Sequence, residues 1–78
     1  MTLTVISSHS VLFSGEADSV TLPGVQGSFT VLKNHAPLIS VLVPGNVTCK
    51  MKEGEVKNIE IQGGLVDVAD NKISVCVY

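Results

Sequence analysis

Arginine and tryptophan are missing from this chain of 78 residues, and its only aromatic side chains are Phe13, Phe29 and Tyr78. Without arginine there is no planar fork to grip phosphate or carboxylate in two places at once. The cations are five scattered lysines in a chain of net charge −2, with no basic run and no aromatic platform, so no nucleic-acid role is expected. Charged residues make up only 15%, against about 25% in a typical soluble domain. No apolar run approaches the roughly 18 residues of a membrane helix, so direct membrane insertion is not expected. The opening segment lacks a charged region followed by an apolar block, and no secretory signal is expected either. The two cysteines, Cys49 and Cys76, lie in strand-like segments; without a secretory signal they are expected to be reduced and partly buried.

What is present is hydrophobic, at 45% of residues. A chain this apolar folds, yet it has few charges to hold neighbours off, which suits a subunit that lives inside a complex. The length allows one domain, residues 1–78. A core of that size supplies only about 3–5 kcal/mol, so stability leans on close packing or on a partner.

The chain is organised around Leu22–Leu38, which holds two of the three prolines. Pro23-Gly24 reads as a turn, proline setting φ at one position and glycine supplying the positive φ of the next. Gly27 closes that loop, Ser28–Leu32 reads as a strand, and Lys33 to Pro37 forms a rigid corner. Leu3 and Val5 alternate with polar neighbours, as do Val47, Cys49 and Met51, and Ile59 and Ile61. Val11–Phe13 is read as a short apolar strand closed by Ser14-Gly15, and Ala17–Leu22 as another. Leu38–Val43 is apolar on both sides except at Ser40, as a strand would be with one core face and one partner face. Turns are expected at Pro44-Gly45, Glu53-Gly54-Glu55, Gly63-Gly64 and Asp70-Asn71. No segment shows a helical period. Short strands at this spacing predict an all-β antiparallel sandwich or barrel.

The residues that could carry chemistry do not form a constellation. His9 and His35 lack metal-ligand spacing with each other or with the thiols, so no metal site is expected. His35 could join a serine and an aspartate on paper, but there is no Gly-x-Ser-x-Gly elbow. The plainer reading is a corner histidine bonded to the backbone before Pro37. Glu53 and Glu55 flank a hairpin glycine, and Gly24-Val-Gln-Gly27 lacks the lysine and helix of a phosphate cradle. No catalytic residue and no cofactor are expected, which leaves a binding or structural module.

One set of motifs narrows this further. Leu22-Pro-Gly-x-x-Gly27 followed by Val31-Leu-x-Asn-His-Ala-Pro-Leu38 resembles the signature of the epsilon subunit of F-type ATP synthases. Leu3–Ser7, Leu12-Phe-Ser-Gly-Glu16, Pro44-Gly45 and Gly63-Gly-Leu-Val-Asp-Val68 resemble family segments in the family order, covering nearly the whole chain. The resemblance implies a flattened sandwich of about ten short strands without substantial helix. It implies a non-catalytic rotor subunit at the foot of the central stalk, on the cytoplasmic face of the bacterial plasma membrane. There it would bind the gamma subunit, rest on the c-ring within the alpha/beta/gamma/delta/epsilon assembly, and help couple transmembrane proton flow to ATP synthesis. By position, Ser7 and His35-Ala36-Pro37-Leu38 match the gamma interface, and Gly27-Ser28 match the loop facing the c-ring. For Ser7, a strand-end serine bonding its own backbone is an equal reading.

Two departures from the family pattern carry expectations. Relatives continue into a C-terminal helical hairpin that is absent from these residues, so neither inhibition by helix insertion nor ATP binding is expected. Where many relatives have an acidic residue after Gly27, this chain has Ser28, which removes a charge from the ring-facing loop. Two competing readings make different demands. A free-standing sandwich binding a ligand or peptide needs a pocket with convergent polar groups. A small hydrolase needs a serine or cysteine within hydrogen-bond reach of His35.

Overall fold

Turn chemistry divides the chain into nine strands and no helix, in a computed structural model that describes residues 1–78. They are β1 (Thr2–Ile6), β2 (Val11–Glu16), β3 (Ser19–Gly24), β4 (Gly27–Leu32) and β5 (Leu38–Leu42). β6 (Gly45–Lys50), β7 (Val56–Ile61), β8 (Gly64–Ala69) and β9 (Lys72–Val77) follow. Hydrogen-bonded neighbours run β2-β1-β9-β8-β5-β3-β6-β7, with β4 on the other edge of β3.

That path curls into a sandwich because it has one weak corner. β5 and β3 share a single pairing, Gly24 with Leu42, and beyond it the two strands diverge. One layer is therefore β2-β1-β9-β8-β5 and the other β4-β3-β6-β7. The far ends of the path come back together, with Lys57 Nζ of β7 5.6 Å from the centre of the Phe13 ring on β2. Every pairing is antiparallel except β1 with β9, which is parallel. The first and last strands are thus neighbours in the middle of one layer.

Alternation along the strands fills the interior. Leu3 and Val5, Val20 and Leu22, Val47 and Cys49, Val66 and Val68, and Ile73 and Val75 all point inward. The buried cluster contains only apolar side chains, and no buried side-chain oxygen or nitrogen is without a partner. Such a core asks nothing of polar networks; its stability rests on apolar area removed from water.

The turns behave mostly as their residues dictate. Asp70 and Asn71 both take positive φ, 51° and 61°, the geometry of a two-residue hairpin turn whose twist matches its strands. At Gly64 a methyl group would land on the carbonyl oxygen of Cys76, so only glycine lets β8 pass β9 there. Pro23-Gly24 departs from expectation. Both belong to β3, and the turn is Val25-Gln26. Pro23 is tolerated there because its backbone faces away from β4, its oxygen accepting from Val43 N at 2.9 Å, on an edge where pairing with β6 has ended at Thr21. β2 likewise runs on through Ser14 and Gly15 to Glu16. The count is nine strands, against the ten or so implied by resemblance.

Candidate interaction surfaces

Each strand that buries one face turns the other outward, and strand register decides which outward residues meet. On the layer β2-β1-β9-β8-β5, Val11 pairs with Ile6, Ile6 with Cys76, Cys76 with Leu65, and Leu65 with Val41. These five residues form one uncharged, almost wholly apolar row across all five strands. At a strand spacing of about 4.8 Å, the row is roughly 19 Å long. Val11, Leu65 and Val41 are 62%, 48% and 47% exposed, far more than a core would leave. The next row, Ser14–Thr4–Ser74–Asp67–Ile39, is hydroxyl-rich with one carboxylate, and it ends on Ile39, the most exposed aliphatic side chain at 75%.

Beside this face lies an open groove of about 650 Å³, between the β3–β4 hairpin tip and the start of β5. Val25, Gly27, Ser28, Phe29, His35, Leu38 and Ile39 are among its lining residues, and no lysine, aspartate or glutamate is. Gly24 makes its apex possible, because a Cβ there would sit 2.8 Å from both Gly27 O and the Phe29 ring. The hairpin tip is tied down by Val25 N donating to Val41 O at 3.0 Å.

The residues singled out from sequence therefore separate into two places. His35, Leu38, Gly27 and Ser28 line the same groove, although resemblance assigned them to different partners. Ala36 and Pro37 are exposed in the corner leading into it. The His35 ring bonds the carbonyl of Ala36 at 2.6 Å through Nδ1, so it serves the corner and meets no serine or cysteine. The corner is further held by Asn34, with φ 61°, whose N–H donates to Asn71 Oδ1 at 3.0 Å. Ser7 is elsewhere, following Ile6 at the opposite end of the sheet. Its Oγ accepts from the N–H groups of His9 and Ser10 and donates to Ser10 O, closing the β1–β2 turn.

The remaining polar groups are structural. Lys33 and Asp18 form an exposed ion pair at 3.1 Å. Burial pushes the Cys49 thiol above its ordinary pKa, and Lys57 pulls it part of the way back. Cys76, expected to be partly buried, is exposed in the middle of the apolar row, and both thiols are free. Sequence reasoning singled out the apolar area of Leu38, Ile39 and Val41 but missed Leu65, Ile6 and Val11. Their outward position follows from alternation, whereas their adjacency follows only from register.

The conspicuous features of this all-β sandwich are an exposed apolar row and a groove lined by no lysine, aspartate or glutamate. Residues 1–78 match the family described as ATP synthase, Delta/Epsilon chain, beta-sandwich domain. The chain belongs to this family, whose epsilon chain is a non-catalytic subunit of the ATP synthase complex. It is 41% identical over 76 residues to the ATP synthase epsilon chain of Leptospira borgpetersenii, covering 96% of this chain and 58% of that one. It is 39% identical over 71 residues to the epsilon chain of Chlorobaculum tepidum, covering 91% and 81% respectively. The chain spans less than two thirds of the length of the Leptospira borgpetersenii relative and of several other epsilon chains it matches.

Solved structures share the fold. A chain of the Euglena gracilis mitochondrial ATP synthase, in an assembly of OSCP, F1 and c-ring, superposes with a TM-score of 0.89 at 22% identity. That match covers 96% of this chain and 48% of the other. A chain of the Tetrahymena thermophila central stalk and c-ring gives 0.78 at 22% identity, covering 97% and 61%. No helix here is long and apolar enough to cross a membrane.

Proposed function

We propose that this chain is a central-stalk rotor subunit of an F-type ATP synthase, docking on the gamma subunit and facing the c-ring. The observation that carries this reading is the row Val11–Ile6–Cys76–Leu65–Val41, an apolar stripe spanning one whole layer of a small domain. Burying it against a partner adds the apolar area that so small a core lacks, at about 25 cal/mol per Å². The gamma subunit covers the row and the adjoining His35–Leu38 corner, while Ser7 at the far end serves mainly to close its own turn. Gly27 and Ser28, exposed on the hairpin wall of the groove, face the ring and offer it a hydroxyl and open backbone in place of a charge. The subunit transmits rotation without chemistry of its own, peripheral to the membrane on its cytoplasmic side. The rotor role proposed here is argued from the sandwich of residues 1–78.

A tagged full-length chain recovered from detergent-solubilised membranes of its source tests this. Gamma, alpha, beta and c subunits are expected in the recovered material. Cys76 supplies the control: alkylating it with a bulky maleimide before mixing is expected to abolish recovery of gamma. Recovery of the chain alone, from membranes whose synthase stays intact, would sink the rotor reading.

A further inference from the structure

The groove beside β5 has backbone groups with nothing to bond. Because Val41 O accepts from Val25 N, the odd-numbered residues of β5 turn their backbone groups away from β8 and toward the groove. Val43 N, donating to Pro23 O, follows the same rule. Ile39 therefore presents its N–H and C=O to the groove, where β5 has no partner, since its only pairing on that edge is Gly24 with Leu42. Val41 N–H is also unpaired: no return bond to Val25 O accompanies the bond between these residues.

An unpaired stretch of strand edge beside an open groove is a template for one more strand. From Leu38 to Val41 the edge runs for about 10 Å at the rise of an antiparallel strand, enough for a three-residue extended segment. The occupant must be uncharged, because no lysine, aspartate or glutamate lines the groove to partner a buried charge. Ser28, Thr30 and Ser40 offer hydroxyls, and Val25, Leu38 and Ile39 offer apolar contact.

We propose that β5 takes up a short, extended, uncharged segment of the stalk partner as an added strand, bonded through the backbone of Ile39 and Val41. The proposal rests on the central-stalk reading and adds to it: side chains of the outer face hold the partner, and the β5 edge sets its register. Pro37, without an N–H, marks where pairing must stop.

Amide hydrogen exchange resolved by residue, on the full chain alone and bound to purified gamma subunit, tests it. Exchange at Ile39 and Val41 is expected to slow by about tenfold or more on binding, with Leu38 and Ser40, already bonded to β8, changing little. Ile39→Pro removes an N–H that is unpaired in the free chain; it is expected to keep its unfolding midpoint and lose the protection at Val41. Ile39→Ser keeps the N–H and is expected to keep the protection. If gamma binds while Ile39 and Val41 still exchange freely, strand addition is wrong and the rotor reading stands. If gamma does not bind, both fail. Protection that appears in the chain alone and rises with its concentration would show that the edge pairs copies of this chain, which also overturns the proposal.

Discussion

The two thiols show how one strand period separates chemically identical side chains. Cys49 faces the core of β6 and is fully buried, whereas Cys76 is exposed on the outer side of β9. Alkylation of the native chain at neutral pH is expected to modify Cys76 alone, with Cys49 reacting only after denaturant is added, as read by peptide mass spectrometry. Burial also gives Cys49 a pH signature. Its folded pKa is raised, mainly by desolvation, so folding disfavours the thiolate. The native state then keeps its full stability below the ordinary thiol pKa and loses some as pH rises through the folded value. Cys49→Val should flatten that alkaline decline in urea unfolding curves. At Gly64 the demand is steric. Gly64→Ala sets a methyl on the Cys76 carbonyl oxygen and is expected to destabilise by about 2–4 kcal/mol, since backbone must move to relieve it.

At the scale of elements, the hairpin turns carry most of the topology. Asn71 takes positive φ and also accepts the Asn34 amide, joining the β8–β9 turn to the corner before β5. Asn71→Ala removes both features and is expected to cost about 1–2 kcal/mol, with a larger rise in exchange at the Asn34 amide than at core amides. Asp70→Gly, which keeps the turn geometry without a side chain, should be neutral within about 0.5 kcal/mol. The Asp-Asn turn was legible because positive φ at two successive residues selects a short list of side chains. Pro23-Gly24 was misread for a physical reason. Proline and glycine signal an interrupted ladder, and β3 is interrupted, though at its edge change from β6 to β5 and not at a reversal of the chain. The all-β class and nearly every strand were plain from alternation; the parallel join of β1 to β9 was not, because pairing across the chain leaves no trace in local periodicity.

For the whole molecule, the exposed apolar row is a product of register. Val11, Ile6, Val41, Leu65 and Cys76 come from separate parts of the chain, and each reads alone as an ordinary exposed apolar residue. Only the apolar character of Leu38–Val43 on both sides signalled an exposed apolar face in advance. His35 and Pro37 were legible through family motifs, and the structure gives them a local task in the corner while the groove beside them carries the open backbone. Val41→Asp combined with Leu65→Ser is expected to leave the unfolding free energy of the isolated chain, read from urea curves, within about 0.5 kcal/mol, since neither side chain is in the core. The same pair should weaken recovery of gamma by about tenfold or more, because it sets a charge in the middle of an apolar interface. A stability loss as large as that of a core truncation such as Leu22→Ala, about 2–5 kcal/mol, would mean the face is structural.

The parallel pairing of β1 with β9 has a consequence for synthesis. On the ribosome, β1 emerges before the other eight strands and waits for a neighbour translated after all of them. Until residue 77 has cleared the exit tunnel, β1 and β8 each show an open inner edge, and the layer that bears the apolar row has a gap in its middle. Folding by closure of such distant pairs belongs to the slow end of small-domain kinetics, milliseconds to seconds. The nascent subunit is therefore adhesive while unfinished, and the arrival of β9 both completes the sheet and removes the two edges on which another chain could add.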